Sequence, residues 1–177
     1  MYRQNTDLRK DRVVVGLSGG VDSAVAAARL KAQGCEVHGV SLKLWRLNED
    51  ESSPDPSVAQ ARRVAQALDI DLTAWDLRER FYTTVVAPFM EAYRQGRTPN
   101  PCVLCNPRFK FETLIEAADA LDAYWIATGH YARIVHHPDG PTRLFTAAAL
   151  DKDQSYALYR LRQSQLHRLQ LPLGELE

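Results

Sequence analysis

Six residues near the start of the chain, Ser18-Gly19-Gly20-Val21-Asp22-Ser23, combine paired glycines, two hydroxyls and one carboxylate, a set able to cradle a phosphate. Glycine removes the Cβ that would keep a phosphate oxygen away from the backbone amides, and the hydroxyls of Ser18 and Ser23 add donors. A helix starting here would contribute its free N–H groups and the positive end of its dipole. Asp22 would repel phosphate unless a divalent cation lay between them, so it is expected to contact Mg²⁺. The loop lacks the lysine of Gly-x-x-x-x-Gly-Lys-Ser/Thr and the Gly-x-Gly-x-x-Gly pattern, which argues against kinase-like and hydride-transfer chemistry. The plain alternative is a tight strand-to-helix turn with a Ser/Asp cap.

The second chemical set is Cys102-Val103-Leu104-Cys105. Such a pair suits half a zinc site or a redox couple, yet structural zinc takes four ligands at paired spacing, and only Cys35 and scattered histidines remain. Pro99, Pro101 and Pro107 predict a rigid, exposed loop over 97–107 that holds a nucleophile at fixed geometry. From Arg94 to Phe111 the charges are Arg94, Arg97, Arg108 and Lys110, with no acid. That positive field is expected to lower a thiol's pKa and to offer phosphate contacts. A solvated basic loop balancing the acids at 49–55 is the alternative.

The elements that must position these groups read as α/β. Val13 to Leu17 predicts a strand, Val21 to Gln33 a helix with Gly34 behind it, and Glu36 to Leu42 a second strand, together a βαβ unit of the parallel type. A polar loop over 48–56 precedes a helix over 57–68 and a strand over 72–77. Beyond it come helices over 79–95 and 109–121, a strand over 123–127, a hairpin over 131–145 turned by Pro138-Asp139-Gly140, and a helical pattern over 153–169. The expected fold is a Rossmann-like parallel sheet with helices on both faces, a small hairpin and C-terminal helices. Cys35 enters a buried strand and is expected to behave as a small core residue.

Ser18–Ser23 resembles the signature loop of the ATP pyrophosphatase (PP-loop) superfamily, which cleaves ATP between the α and β phosphates to adenylate a carbonyl oxygen. The order of motifs is similar to one family within it, the tRNA-specific 2-thiouridylases. The similar stretches are 16–23, Arg97-Thr98-Pro99-Asn100-Pro101 through Cys105-Asn106, Lys110-Phe111, 127–133, 151–156 and 172–176, in the family's order. The resemblance implies ATP contacts at Gly16, Leu17, Ser18, Gly19, Gly20, Val21, Asp22 and Ser23, with Leu42 and Gly129 bordering adenine and ribose. It implies a nucleophile at Cys105, with Cys102 beside it, and Asn100, Pro101 and Cys102 lining the target base. It implies tRNA contacts at His130 and at Lys152, Asp153 and Gln154. Read locally, His130 is also a hydrogen-bonded strand-end histidine, and Lys152-Asp153 a helix cap.

The implied reaction is ATP-dependent 2-thiolation of a wobble uridine, with adenylation of its O2 followed by displacement of AMP by sulfur. The implied partners are a tRNA carrying that uridine and a persulfide relay protein or cysteine desulfurase. In the family the sulfur rides on a second cysteine, and none follows Cys105 here. Residues 1–177 are therefore expected to form the adenylation domain alone, the family's later tRNA-binding and β-barrel regions being absent, either as a piece of a longer enzyme or as a stand-alone unit. The alternative function is a nucleotide and tRNA module without complete turnover; a small-molecule amidating ligase would leave the cysteine segment without a role. An iron–sulfur cluster on Cys102, Cys105 and a ligand outside this sequence is a further possibility.

Composition bounds these readings. The formal net charge is zero, so a nucleic acid must be held by a local patch and not by a global field. No stretch approaches the roughly 20 apolar residues of a membrane span, and residues 1–12 lack the apolar core of a signal peptide, so no membrane partner and a cytoplasmic location are expected.

Overall fold

Val13-Val14-Val15 lies at the centre of the molecule because consecutive β-branched apolar residues are all buried only in a sheet covered on both faces. The computed structural model describes residues 11–45, 55–137 and 140–176. Its strands are β1 (Arg12–Gly16), β2 (Glu36–Lys43), β3 (Asp71–Asp76), β4 (Trp125–Ala127), β5 (Arg133–Val135), β6 (Arg143–Phe145) and β7 (Leu169–Gln170). Five of them form one parallel sheet in the order β3-β2-β1-β4-β7. The strand pairing β1 on its other side begins at residue 125, two residues later than expected.

The alternation of β1 divides the core. Val13, Val15 and Leu17 pack with Ala27 and Leu30 of α1 (Val21–Ala32) and with Ala61 and Ala65 of α2 (Pro56–Leu68), and Cys35 sits against this layer as expected. Val14 faces the other way, into Val40, Phe111, Leu114, Ile126 and the C-terminal Leu158, Leu161 and Leu169. Asp55 starts α2 by accepting the N–H groups of Ser57 (3.0 Å) and Val58 (3.4 Å). Lys31 of α1 closes its far end by donating to the carbonyls of Leu68 (2.6 Å) and Asp69 (2.7 Å).

The helix expected over 79–95 is present as α3 (Arg78–Phe81), a π-helical turn at Tyr82–Val86 and α4 (Ala87–Arg94). Pro88 explains the wide turn. Proline has no N–H and its ring collides with the carbonyl four residues back, and an added residue in the turn moves that carbonyl aside.

Two expectations are corrected. The segment 97–107 is irregular only to Asn100; α5 (Pro101–Cys105), a π-helical turn at Asn106–Lys110 and α6 (Phe111–Ala120) then form one rod. Its start is built by Asn100, whose side chain accepts the Cys102 N–H at 3.1 Å, and by Pro101 in the first turn, where its missing N–H costs nothing. Pro107 sits within the rod, accommodated by the wide turn. The cysteines thus stand on a helix and not in a proline-braced loop.

No helix spans 153–169. Short 3₁₀ turns at Leu150–Lys152 and Ser155–Ala157 lead to α7 (Gln163–Leu166) and then to β7, so the expected C-terminal helices reduce to one short helix and an unforeseen strand. Leu158, Leu161 and Leu166 enter the core from separate turns, which imitates a helical spacing in the sequence. Arg168 secures the strand by donating to the carbonyls of Tyr124 (2.8 Å) and Ala123 (3.1 Å). The hairpin is formed by β5 and β6, antiparallel. Pro138-Asp139 of its turn, and residues 48–54 of the acidic loop, lie outside the described residues.

Candidate active site

In the strand order β1 lies between β2 and β4, so the chain continues to one side of the sheet from β1 and to the other from β4. Open α/β sheets bind ligands at such a reversal. A cleft of about 420 Å³ opens there, and it brings together Gly16, Leu17, Ser18, Asp22, Ser23, Leu42, Gly129, His130 and Gln154, nine of the residues expected at the nucleotide or tRNA site. Val40, Leu44, Lys110, Leu114 and Thr128 also line it, and these the sequence reading did not assign to the site. Among them Lys110 carried a readable signal, a lysine between two phenylalanines that are both fully buried.

The loop after β1 is organised from within. Ser23 Oγ donates to the Gly20 carbonyl (3.0 Å) and accepts the Ser18 N–H (3.3 Å), so this buried hydroxyl shapes the loop. Ser18 Oγ accepts the Gly20 N–H at 3.3 Å. Gly19 has φ +84°, and a Cβ there would come within 2.8 Å of Gln60 Cβ and 2.9 Å of Ala61 N, so α2 presses against the loop from behind. Gly20 begins α1 without a side-chain cap, leaving first-turn amides for an anion. Val21 stands outermost, 77% exposed. The Asp22 carboxylate accepts from Tyr131 Oη at 3.4 Å.

Gly129, which lines the cleft, also sets how two loops pack. A Cβ at this position would lie 2.6 Å from the carbonyl carbon of Asp22 and 2.7 Å from the Ser23 nitrogen, so the loop after β4 rests directly on the first turn of α1. His130 follows, its Nδ1 2.7 Å from Thr128 Oγ1 and its ring tilted over Phe111. Burial, and then the charge of Lys110, push its pKa down to about 3, so it is neutral at physiological pH.

That shift carries a sign. Below pH 6.5 the unfolded chain binds a proton that native His130 refuses, so stability falls as pH drops from 6.5 towards 3. Burial lowers His38 and His136 too, which adds to the same trend. Urea unfolding at stepped pH is expected to show His130→Gln flattening this slope by up to about 1.4 kcal/mol per pH unit. An unchanged slope would contradict the buried, neutral state.

Cys102 is exposed and Cys105 half-buried, one helical turn apart on α5. Burial pushes the Cys105 thiol up, against the pull of the Lys110 charge and a hydrogen bond from the Lys110 backbone. The expected lowering by a positive field is therefore overturned at Cys105. Burial wins because the arginines around the segment project into solvent and Lys110 alone faces the sulfur. Asn106 fixes the helix by donating to the Ala157 carbonyl at 2.9 Å, and Gln165 donates to the Pro107 carbonyl at 2.7 Å. Asn100 and Pro101 serve locally as the start of α5.

Among the segment expected to touch tRNA, Gln154 accepts the Tyr131 N–H at 3.0 Å and reaches the cleft. Asp153 accepts from Ala147 N (2.8 Å) and Ser155 Oγ (2.7 Å) and anchors the turn. Lys152 is exposed, with its ammonium 5.5 Å from the centre of the Tyr131 ring. No group of three or more His, Cys, Asp or Glu side chains able to hold a metal occurs among the described residues. Two thiols fall short of a cluster's ligand set, with Cys35 in the core layer on the α1 and α2 side. A single carboxylate beside first-turn amides that could take an anion, by contrast, fits Mg²⁺, which is held by one or two carboxylates together with substrate phosphates.

A sequence model of the family described as the tRNA methyl transferase HUP domain matches residues 11–177. The chain belongs to this family. A protein called tRNA-specific 2-thiouridylase MnmA from Syntrophotalea carbinolica is 50% identical over 169 residues, 95% of this chain and 48% of the relative. Proteins of the same name from Clostridium perfringens and Nitrosomonas eutropha are 43% and 46% identical, again over 95% or more of this chain and under half of theirs. The chain thus spans about half the length of these HUP-domain relatives. Two solved structures share the fold. A predicted subunit of tRNA methyltransferase from Methanocaldococcus jannaschii has a TM-score of 0.53 at 17% identity over 94% of this chain and 69% of its own. The U34-tRNA thiolase NcsA from Methanococcus maripaludis, solved with its [4Fe-4S] cluster, has 0.53 at 16% identity over 98% of this chain and 55% of its own. No helix among the described residues is long and apolar enough to cross a membrane.

Proposed function

We propose that this chain is the ATP-activating portion of a tRNA uridine 2-thiolation enzyme. The observation that carries the proposal is the cleft at the β1/β4 reversal. A glycine-serine loop meets a carboxylate there, and Lys110 connects the cleft to the helix bearing Cys105. The relatives' name gives the substrate class.

The chemistry follows from a poor leaving group. Uridine O2 leaves as AMP once it has attacked the α-phosphorus of ATP and displaced pyrophosphate. The amides of Gly19 and of the first turn of α1 receive the pyrophosphate. Asp22 would hold Mg²⁺, which supplies charge neutralisation across the phosphates. Leu42, Leu44 and Val40 give the cleft an apolar wall for the nucleoside. Neutral His130 accepts or donates a hydrogen bond without charging, and so cannot serve as a proton donor in the imidazolium form. Cys105 lies on the cysteine helix beside Lys110 for the sulfur step, with the sulfur brought by a persulfide relay protein or a cysteine desulfurase. Exposed Lys152, Tyr156, Tyr159 and Arg160 offer cations and stacking faces to RNA. Such a reaction belongs in the cytoplasm.

The test is pyrophosphate release from ATP and Mg²⁺ by this chain, with and without tRNA bearing a wobble uridine. The expected result is release that depends on the tRNA. Release no greater than in the tRNA-free control would leave a nucleotide-binding module without turnover, the alternative reading.

A further inference from the structure

A nucleoside triphosphate brings a large negative charge into the cleft, and the loop Gly16–Ser23 contains no lysine or arginine to meet it. Asp22 adds a further negative charge, and His130 is neutral. Among the residues lining the cleft, Lys110 is the single lysine or arginine. It stands on the π-helical turn opposite the loop, between Phe109 and Phe111, which are both fully buried. None of the ion pairs found among the described residues involves it. The groups whose charge it feels are the thiols of Cys105 and Cys102. An ammonium withdrawn from water without a carboxylate is costly to maintain, and such a group is retained where an anion arrives to pair with it.

We propose that Lys110 is the cation that holds the α-phosphate of the nucleotide, supplying from across the cleft the charge that other nucleotide loops carry on their own lysine. This rests on the nucleotide reading above. The α-phosphate is chosen because the loop amides at α1 take the pyrophosphate, while Lys110 stands on the side of Cys105 and His130, where the acceptor base must approach the α-phosphorus. The apolar lining from Val40, Leu42 and Leu114 keeps the local dielectric low, which strengthens a single charge at this point. During adenylation the ammonium donates to an α-phosphate oxygen as the oxygen–phosphorus bond to pyrophosphate breaks and the bond to uridine O2 forms. It stays with that phosphate in the adenylate.

The test compares binding of ATP, AMP, adenosine and inorganic pyrophosphate to the whole chain and to Lys110→Met and Lys110→Arg, by calorimetry and thermal shift. In Lys110→Met, ATP and AMP affinity is expected to fall at least 10-fold, with adenosine and pyrophosphate within 2-fold of the parent; Lys110→Arg recovers most of the loss. Removing a half-buried charge that has no ion-pair partner among the described residues also leaves the ligand-free melting temperature of Lys110→Met equal or higher, a change opposite to that of a residue needed for folding. Unaltered ATP and AMP affinity in Lys110→Met would overturn the assignment. An equal loss of adenosine, or a lower melting temperature that Arg does not restore, would make Lys110 structural and overturn it as well. Should Lys110→Met not fold, Lys110→Gln carries the same comparison. If the parent chain binds neither ATP nor AMP, the nucleotide reading itself fails, and this outcome is distinguished by the parent's own titration.

Discussion

Gly129→Ala is expected to abolish nucleotide-dependent stabilisation of this chain and to lower its unfolding free energy by about 2–3 kcal/mol, the scale of overpacking at a rigid contact. The added methyl would meet Asp22 C at 2.6 Å, Ser23 N at 2.7 Å and Asp22 O at 2.8 Å. All three are backbone atoms, so no rotamer relieves the contact. Either the loop after β4 retreats or the first turn of α1 moves, and both open the place where the phosphates would lie. Gly20→Ala is the internal comparison, because its nearest neighbour is the Ser18 hydroxyl at 3.5 Å, an ordinary contact. Urea unfolding with and without ATP distinguishes the two. A Gly129→Ala chain as stable and as responsive to ATP as its parent would show that the loops do not touch.

The second large effect is a split between two steps. Asp22→Asn is expected to reduce tRNA-dependent pyrophosphate release by about 10²–10³, the scale seen when one group that stabilises transition-state charge is removed. Cys105→Ser leaves that release within a few-fold while blocking sulfur transfer in an enzyme that has its remaining half. Asp22 makes no ion pair found among the described residues, and Tyr131 Oη approaches it only at the long distance of 3.4 Å. The amide is isosteric, and its loss from the first turn of α1 costs the fold only about 0.3–1 kcal/mol through the helix dipole. Equal loss of pyrophosphate release in both variants would contradict the assignment of roles.

The sheet and the strand-to-helix turn at 18–23 are legible in the sequence because their signals are local. Three valines, two glycines and an alanine-rich stretch each constrain their own neighbourhood, and Gly34 marks the end of α1 with φ +88°. The cysteine segment is a helix where its prolines predict a loop, although half the helical signal is in the sequence: Asn100 followed by Pro101 is a helix start, a cap residue and then a proline in the first turn. What hid it was Pro107, which ordinarily ends a helix. Its tolerance depends on a widened turn that no local rule announces. The stretch from 153 to 169 failed for the opposite reason. Its leucines carry helical spacing, yet each is drawn into the core from a different turn, and β7 exists because β4 offers it an edge. Lys110 could be singled out only by its apolar neighbours; that it faces thiols on one side and a cleft on the other is a property of the packed molecule.

The wide turn at Asn106–Lys110 also sets an angular phase. An α-helix advances about 100° per residue, so the extra residue rotates α5 by that amount relative to α6, whose Phe111, Leu114 and Ala118 are fixed in the core. The core determines where α6 points, and the turn determines where the thiols point. Deleting one residue between 106 and 110 would leave Phe111, Leu114 and Ala118 of α6 in place and swing Cys102 and Cys105 about a quarter-turn around the axis. The bearing of the two thiols on the cleft is thus held by the count of residues in a single turn, apart from the composition of the helix that carries them.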